Sequence, residues 1–276
     1  MSILRKSGAL ALFLVICLTL AVAAGCASAP GSVRYAEDPV VGRETLTQVS
    51  TINALMAGVY DGVMSCGQLK GYGDFGIGTF DKLDGEMIVL DGNVYQVRVD
   101  GIAYKVVDTV STPFVTVTYF DTDLQKELTF GMNLTEFQKY LDGIVPTANI
   151  FYAIKIEGIF SYMKTRSVPA QEKPYPVLTE VTKNQSVFEF NDVSGTIVGF
   201  KCPQYVSGVN VPGYHLHFLT ADRKAGGHVL EFTVQQAAVF VDETCNFLML
   251  LPAEGSDFYK IDLTGDKQAE LEKAEK

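Results

Sequence analysis

The chain has few histidines, few cysteines and no basic patch that could face a nucleic acid. Lysine and arginine together number 22 against 32 aspartates and glutamates, which gives a formal net charge of −10 over 276 residues. A chain this acidic repels phosphate backbones, so we expect no nucleic-acid partner. Hydrophobic residues make up 47% of the chain and charged residues 20%. This composition excludes a disordered chain and suits one large globular domain or two smaller ones.

The five cysteines do not form a disulfide framework. Cys17 and Cys26 lie in an N-terminal apolar segment, which leaves Cys66, Cys202 and Cys245 as an odd set without a CxxC spacing. At most one bridge is possible among these three. We therefore expect them to be buried free thiols.

Residues 1–26 have the features of an export signal. Arg5 and Lys6 precede an apolar run from Leu10 to Val22, and small residues lead up to Cys26. This order predicts a lipoprotein leader, so that the mature chain starts at a lipid-modified Cys26 and is held on the outer face of a membrane. Residues 27–38 would then form a polar linker. Cleavage after Ala29, which would release a secreted protein, and an uncleaved signal anchor are the alternatives.

Hydrophobic patterning predicts an α+β fold with mixed and antiparallel sheets. Turns at Asp91-Gly92 and Asp100-Gly101 separate three apolar runs and predict a β-meander, and Glu157-Gly158 predicts a further hairpin. Ser65 and Thr135 each begin a sequence with the spacing of a helix-capping box. Further strands are predicted at Pro113–Phe120, Val187–Phe190, Gly195–Lys201, Gly213–Leu219, His228–Val234, Val239–Val241 and Phe247–Leu251.

A proline-bearing segment between Val168 and Pro176 interrupts this pattern of strands. We take it as the boundary between two domains. This interpretation gives an N-terminal α/β domain over residues 39–170 and a mostly-β domain over residues 171–276. The charged C-terminal tail from Thr264 is helix-prone.

All three histidines of the chain lie within fourteen residues, at positions 215, 217 and 228. His215 and His217 point to the same face of a strand, where their side chains are roughly 6–7 Å apart. The turn-rich segment Thr220–Gly227 can return His228 to that face. Three neutral imidazoles around one point predict a zinc site with an open coordination position, as in catalytic zinc centres. The alternative is three ordinary surface or core histidines, which the clustering disfavours.

Histidine-rich hairpins also occur in cupins and in α-type carbonic anhydrases. A cupin would place a carboxylate ligand soon after the second histidine, whereas the first acid here is Asp222, in the loop. Carbonic anhydrases have a much longer gap before the third histidine. Neither family fits well.

Several long stretches instead resemble acetolactate decarboxylases. They extend from about Gln48 to the C-terminus, and their combination is specific although no single stretch is. They are Ser50–Gly62, Gly73–Glu86, Phe151–Ile154, Lys164–Pro169, Pro174–Thr182, Asn210–Thr220 and Gly226–Leu230.

The resemblance implies a two-domain α/β fold, usually dimeric, that converts 2-acetolactate to acetoin and carbon dioxide. It implies zinc ligands at the same three histidines that the spacing indicates. It also implies that Glu86 lies at the metal site, that Arg166 faces the substrate, and that a glutamate of the tail reaches back toward the metal. We match that glutamate to Glu275, with Glu270 and Glu272 as alternatives.

The expected chemistry has a physical basis. When carbon dioxide leaves, its bonding electrons must move onto the neighbouring ketone oxygen, and a Lewis acid there lowers the barrier. Arg166 would orient the substrate, and either Glu86 or Arg166 would supply the proton. Two other hypotheses remain open: a non-catalytic lipoprotein that binds zinc or a small ligand, and a zinc hydrolase.

Overall fold

A computed structural model describes residues 41–129, 131–265 and 267–275. The predicted leader at 1–26, including Cys26, and the whole predicted linker at 27–38 lie outside these residues. Fifteen strands and five α-helices form the described part of the chain. No helix in this part is long and apolar enough to cross a membrane.

The strands are numbered here in chain order. They are β1 Thr45–Val49, β2 Met64–Ser65, β3 Phe75–Thr79, β4 Glu86–Leu90, β5 Asn93–Val97, β6 Ala103–Lys105, β7 Ser111–Thr112, β8 Val115–Thr118, β9 Leu124–Leu128, β10 Met132–Asn133, β11 Phe151–Ser167, β12 Ser186–Cys202, β13 Gly213–Thr220, β14 Gly226–Thr244 and β15 Asn246–Leu250. The helices are α1 Ile52–Met56, α2 Cys66–Leu69, α3 Leu134–Ile144, α4 Leu178–Val181 and α5 Gln268–Glu275.

Two large sheets confirm the predicted α+β class. The first has the order β15-β1-β8-β3-β4-β5-β6, with β15 parallel to β1 and the other pairs antiparallel. The second has the order β10-β14-β11-β12-β13, with β9 also paired to β14 and β13 paired to both β12 and β14. Its strands β11 and β12 lie on either side of the predicted boundary at residue 170 and pair along almost their whole length.

The sheets pack face to face through an apolar cluster to which both contribute. Ile77 and Ile88 from the first sheet contact this cluster, as do Val198 and Phe200 from the second. This packing places the first residue of β4 against β13. A separate cluster joins the three short helices α1, α4 and α5, and Leu271 and Ala274 fix the C-terminal helix α5 in it. The site described below is lined by side chains of this second cluster.

Two predicted turns and one helix start agree with the structure. Asp91, Gly92 and Gly101 have positive φ at the two turns, and the antiparallel pairing of β4 with β5 and of β5 with β6 confirms the meander. Ser65 caps α2 with the reciprocal bonds of a capping box. Helix α3 begins earlier than predicted, because Asn133 and Glu136 form the box instead of Thr135 and Gln138.

The predicted hairpin at Glu157-Gly158 is wrong. Both residues lie inside β11, a single strand of 17 residues. A Cβ atom on Gly158 would lie 2.3 Å from the backbone oxygen of Gln236 on β14, so glycine allows a close approach between strands and does not form a turn. In the same way, the separate strands predicted in β12 and β14 are continuous, over 17 and 19 residues.

The three cysteines of the described chain are free thiols, as expected. Cys66 and Cys202 are buried, and burial raises the pKa of the Cys202 thiol to about 12. Cys245 is exposed, contrary to the prediction that all three are buried, because it follows the end of β14 at the surface.

Candidate active site

The strand register aligns three of the predicted site residues in a row. His217 on β13 lies directly opposite His228 on β14, and His228 lies directly opposite Arg166 on β11. Opposed residues of neighbouring strands share a face, so these three side chains point the same way. His215 lies two residues before His217 and therefore points to that face as well. The loop after Thr220 reverses the chain as predicted, and this reversal brings His228 back beside His217.

The three imidazoles form a cluster that could bind a metal ion. One ring nitrogen from each lies within 4.8 Å of those of the other two. The centroid of the His215 ring is 5.1 Å from both others, and those of His217 and His228 are 5.3 Å apart. His217 and His228 are almost completely buried. The cluster is thus a set of nitrogen ligands that converge in a site shielded from water.

Hydrogen bonding leaves one ring nitrogen of His217 free. Its Nδ1 lies 2.8 Å from the backbone oxygen of Met87 on β4. Because a carbonyl can only accept, Nδ1 carries the proton and Nε2 carries the lone pair. This Nε2 is buried without a hydrogen-bond partner. A buried imidazole nitrogen of this kind, oriented by a backbone carbonyl, is typical of a metal ligand.

In His228, by contrast, Nε2 already has a hydrogen-bond partner. Its Nε2 lies 3.2 Å from the backbone oxygen of Glu275, to which it donates a hydrogen bond. Metal binding through this nitrogen would displace that bond. The end of α5 therefore competes with a metal ion for His228.

All three histidines are held in the neutral form that binds metals. Burial lowers the pKa of His215 to about 3, and the positive charge of Arg166 adds to this effect. The pKa values of His217 and His228 lie well below the usual range, chiefly because of burial, with contributions from Arg166 and the neighbouring imidazoles.

Two carboxylates approach the histidines from outside the second sheet. Glu86, the first residue of β4, has Oε2 3.5 Å from His217 Nε2. Glu275, the last residue of α5, has Oε2 3.5 Å from His215 Nε2 and 3.8 Å from His228 Nε2. Of the three tail glutamates considered, Glu275 is thus the one that reaches the site.

Burial raises the pKa of both carboxyl groups. The pKa of Glu86 rises to about 7, because the desolvation of its charged form outweighs the attraction of Arg166, and the charge of Glu275 raises it further. The pKa of Glu275 is also raised by burial, against an opposing effect of Arg166. In the metal-free protein near neutral pH, this shift favours the protonated form of Glu86.

Arg166 is the cation of the site. It is 4% exposed, and its Nε has no hydrogen-bond partner in the described chain. A buried, unpaired guanidinium nitrogen is costly unless a ligand accepts from it. Its position beside both carboxyl groups and the histidines fits an anionic ligand in the cavity.

The cavity between these groups is small and has an apolar wall. It measures about 30 Å³ and is bounded by Glu86, Arg166, the three histidines and Glu275, together with the apolar side chains of Ile52, Leu55, Leu83, Phe114, Val168 and Leu178. A groove of about 350 Å³, lined in part by α5, lies next to this cavity, and His228 and Glu275 line both spaces. Glu275, at the end of α5, thus lies between the histidine cluster and the groove.

All six predicted site residues therefore meet in one place. The sequence reasoning missed the apolar wall and the carbonyl of Met87. Ile52, Leu55, Leu83, Val168 and Leu178 lie in stretches that carry the family resemblance, which was the only available signal for them. A backbone carbonyl has no signal in a sequence.

Comparison with known proteins identifies the family. The model of the alpha-acetolactate decarboxylase family matches residues 46–265. The alpha-acetolactate decarboxylase of Methanosarcina mazei is 56% identical over 233 residues, which cover 84% of this chain and 81% of that protein. The enzyme from Bacillus subtilis strain 168 is 43% identical over 216 residues, covering 78% and 84% of the two chains.

The fold agrees with this result. The crystal structure of acetolactate decarboxylase from Bacillus subtilis subspecies spizizenii superposes with a TM-score of 0.81 at 41% identity, covering 83% of this chain and 99% of that one. A Staphylococcus aureus protein described as similar to the decarboxylase superposes with a TM-score of 0.80 at 31% identity, covering 83% and 99%. The chain belongs to the alpha-acetolactate decarboxylase family of carboxy-lyases.

Proposed function

We propose that this protein is a zinc-dependent enzyme that converts 2-acetolactate to acetoin and carbon dioxide. The observation that carries the proposal is the meeting of three neutral histidines, one arginine whose Nε lacks a hydrogen-bond partner, and two carboxyl groups around a single small cavity. The substrate is inferred from family membership, and the side chains around the cavity are suited to bind it.

The donor set fits zinc. Imidazole nitrogens and carboxylate oxygens are common zinc ligands, and three histidines leave a coordination position for substrate. His215, His217 and His228 would hold the ion, with Glu86 and Glu275 close enough to contribute. When bound, zinc would act as a Lewis acid that accepts the negative charge developing on a substrate oxygen.

Arg166 orients the substrate. Its guanidinium is always charged and presents a planar set of donors that matches a carboxylate. The apolar wall excludes water, which strengthens the attraction between Arg166 and an anion. Arg166 can therefore hold the substrate so that the bond between the substrate carbon and the departing carboxylate faces the cavity.

The reaction requires a proton source. The bond between the substrate carbon and its carboxylate breaks, the electron pair moves toward the ketone oxygen, and a proton then adds to carbon to give acetoin. We propose Glu86 as the donor or relay, because its carboxyl group lines the cavity and lies 3.5 Å from His217 Nε2. Arg166 is the other candidate.

The C-terminal end of α5 must move for the substrate to enter. A cavity of about 30 Å³ holds little more than one water molecule. Glu275 lines this cavity and also the groove beyond it. Displacing Glu275 would join the two spaces and release Nε2 of His228, so we propose that the substrate enters from the groove side.

The decisive experiment measures acetoin release by purified protein lacking residues 1–26. We expect release from 2-acetolactate, loss of activity after chelation, and recovery when zinc is added back. His217→Ala should lose zinc retention. If acetoin does not form at any metal loading although zinc binds in stoichiometric amount, the chain is a zinc-binding protein without this activity.

We further propose, from the N-terminal sequence features, that the protein is exported and carries lipid on Cys26, and, from the family resemblance, that it forms a homodimer. Fractionation of cells that express the full chain tests the anchor. Wild-type protein should sediment with membranes and carry covalent lipid, and Cys26→Ser should carry no lipid. Sedimentation of the purified chain measures its oligomeric state.

A further inference from the structure

A second group of acidic side chains lies at the opposite end of β14 from His228. Glu44, Asp123 and Asp242 each place one carboxylate oxygen within 4.8 Å of those of the other two. The residues come from three distant parts of the chain: Glu44 precedes β1, Asp123 precedes β9, and Asp242 lies in β14. Backbone hydrogen bonds fix their positions, since Asn246 donates to the Glu44 carbonyl at 2.9 Å and Asp123 donates to that of Val241 at 2.9 Å.

Asp242 makes this group more than a set of surface acids. It is 1% exposed, and its Oδ1 is buried without any hydrogen-bond partner. Its Oδ2 accepts only from the backbone N–H of Asp121, at 3.1 Å. A buried carboxylate oxygen that lacks a donor is costly and calls for a cation or a proton.

No basic side chain meets this need. In the described ranges, none of the three carboxylates forms an ion pair with a lysine or arginine. The charged groups that act on Asp242 are the acids Asp123, Glu44 and Asp121. Arg43, the nearest cation along the chain, contacts Asp121 at 3.9 Å with both side chains exposed.

We propose that Glu44, Asp123 and Asp242 form a second metal site, which binds a calcium ion and ties the two sheets together. The donors are all oxygens, which hard divalent cations prefer over zinc. Calcium takes oxygen ligands at about 2.3–2.6 Å, so a group spread over as much as 4.8 Å fits around one ion. Magnesium requires a tighter octahedron of about 2.0–2.1 Å.

The location gives the ion a structural role. Glu44 belongs to the start of β1 in the first sheet, whereas Asp123 and Asp242 belong to β9 and β14 of the second. An ion held by all three would crosslink the sheets far from the histidine cluster. Because two of the three ligands are exposed, we expect a dissociation constant of about 10⁻⁴–10⁻³ M, in the range of extracellular calcium modules.

Calcium titration by calorimetry, on the zinc-loaded chain lacking residues 1–26, tests the proposal. We expect one calcium per chain and a Tm rise of about 4 °C at roughly 10 mM calcium, with a smaller rise in magnesium. Asp242→Asn keeps the shape of the side chain and should weaken calcium binding at least tenfold. Glu44→Gln changes an exposed ligand that cannot compromise the core, and it should also reduce affinity.

Asp192→Asn is the matched control, because Asp192 is exposed, lies in β12 outside the cluster, and has a φ of 50° that asparagine tolerates. It should bind calcium like wild type. The proposal is wrong if wild-type protein binds no calcium, or if both Asp242→Asn and Glu44→Gln bind it as tightly as Asp192→Asn. A Tm for Asp242→Asn above that of wild type, without any calcium response in wild type, would show that Asp242 is merely protonated. Acetoin formation should be unchanged in Glu44→Gln.

Discussion

At the scale of single residues, Arg166 has the chemically most specific role. Replacing it by lysine keeps the positive charge but loses the planar pair of donors that would hold a carboxylate. We expect Arg166→Lys to retain zinc and to lower kcat/KM by about a hundredfold, because the substrate is no longer aligned. Steady-state kinetics together with metal analysis would check this.

Lys164→Gln provides the comparison for this substitution. Lys164 lies two residues earlier on β11 and outside the cavity wall, so removing its charge should leave kcat/KM near the wild-type value. Full activity in Arg166→Lys, or loss of its zinc, would contradict the assigned role.

Glu86 links the site to pH in the metal-free protein. Its pKa is about 7 when folded and 4.5 in the unfolded chain, so the folded state holds a proton that the unfolded state has released between these values. The free energy of unfolding therefore falls as pH rises from 4.5 through 7, by about 3 kcal/mol from this group. The contribution is fully present below the unfolded pKa.

Urea unfolding in chelator, at several pH values, measures this effect. Glu86→Gln cannot titrate at this position, so the stability of wild type relative to Glu86→Gln should decline by about 3 kcal/mol over that pH range. The exposed Glu189→Gln supplies the baseline. A constant difference between wild type and Glu86→Gln would show that burial does not perturb Glu86.

Residue types and spacing were enough to identify three of the six predicted site residues. The histidines could be found from their spacing alone, because two neighbouring strands align residues in register. Glu86, Arg166 and Glu275 were found only through the family resemblance, since each comes from a different element and nothing local marks them. The buried Asp242 was not foreseen, because an aspartate within a strand pattern carries no sign of its burial.

At the scale of elements, a glycine led to the main error in the predicted strands, the hairpin at Glu157-Gly158. Glycine marks turns in many sequences, and Glu157-Gly158 was interpreted in that way. In β11 the glycine instead lets β14 approach, because a Cβ would meet Gln236 oxygen at 2.3 Å and Ala237 Cβ at 2.5 Å. Local sequence cannot distinguish these two uses, since the contact involves a residue almost eighty positions away.

Adding one methyl group at Gly158 tests whether this glycine allows the close approach of β11 and β14. Gly158→Ala should lower the free energy of unfolding by about 2–3 kcal/mol, because the new Cβ overlaps the backbone of β14. Gly143→Ala is the control: Gly143 lies in α3 with no atom within 4 Å of its added Cβ, so alanine should stabilise the helix by roughly 0.5–1 kcal/mol. Equal effects of the two substitutions in urea unfolding would refute the close-approach explanation.

Helix α5 lies beyond the part of the chain that the family model matches, yet it closes the site. Leu271 and Ala274 bury one side of it, so the helix is held even if its last carboxylate is removed. We expect Glu275→Gln to lower kcat roughly 10–100-fold, because the group beside His215 and His228 loses its charge.

Glu270→Gln changes an exposed residue of the same helix, whose nearest ion-pair partner is Lys267, and it should leave kcat unchanged. If Glu275→Gln were as active as Glu270→Gln, the tail would serve only as a cover. Circular dichroism of both variants would confirm that α5 is retained.

At the scale of the whole molecule, the two sheets do not follow the order of the chain. Strand β15 pairs in parallel with β1 across about two hundred residues, and β9, β10 and β11 join a sheet whose other strands follow residue 170. The α+β class was predictable from local alternation, but these long-range pairings were not. The domain boundary near residue 170 therefore remains a prediction about how the chain folds.

The three histidines come together only when β13 and β14 pair in the second sheet, so a zinc ion at the site would bind the folded state. Ligand that binds the folded state alone stabilises it, by about 2.7 kcal/mol at a hundred times its dissociation constant. We therefore expect chelation to lower Tm by roughly 5–10 °C in thermal unfolding at matched ionic strength. His217→Ala should show no such drop, since it already lacks the imidazole nitrogen that is free for a metal. If chelation lowered Tm equally in wild type and His217→Ala, the stabilising metal would lie elsewhere. The calcium response of Asp242→Asn would then show whether it lies in the acidic cluster.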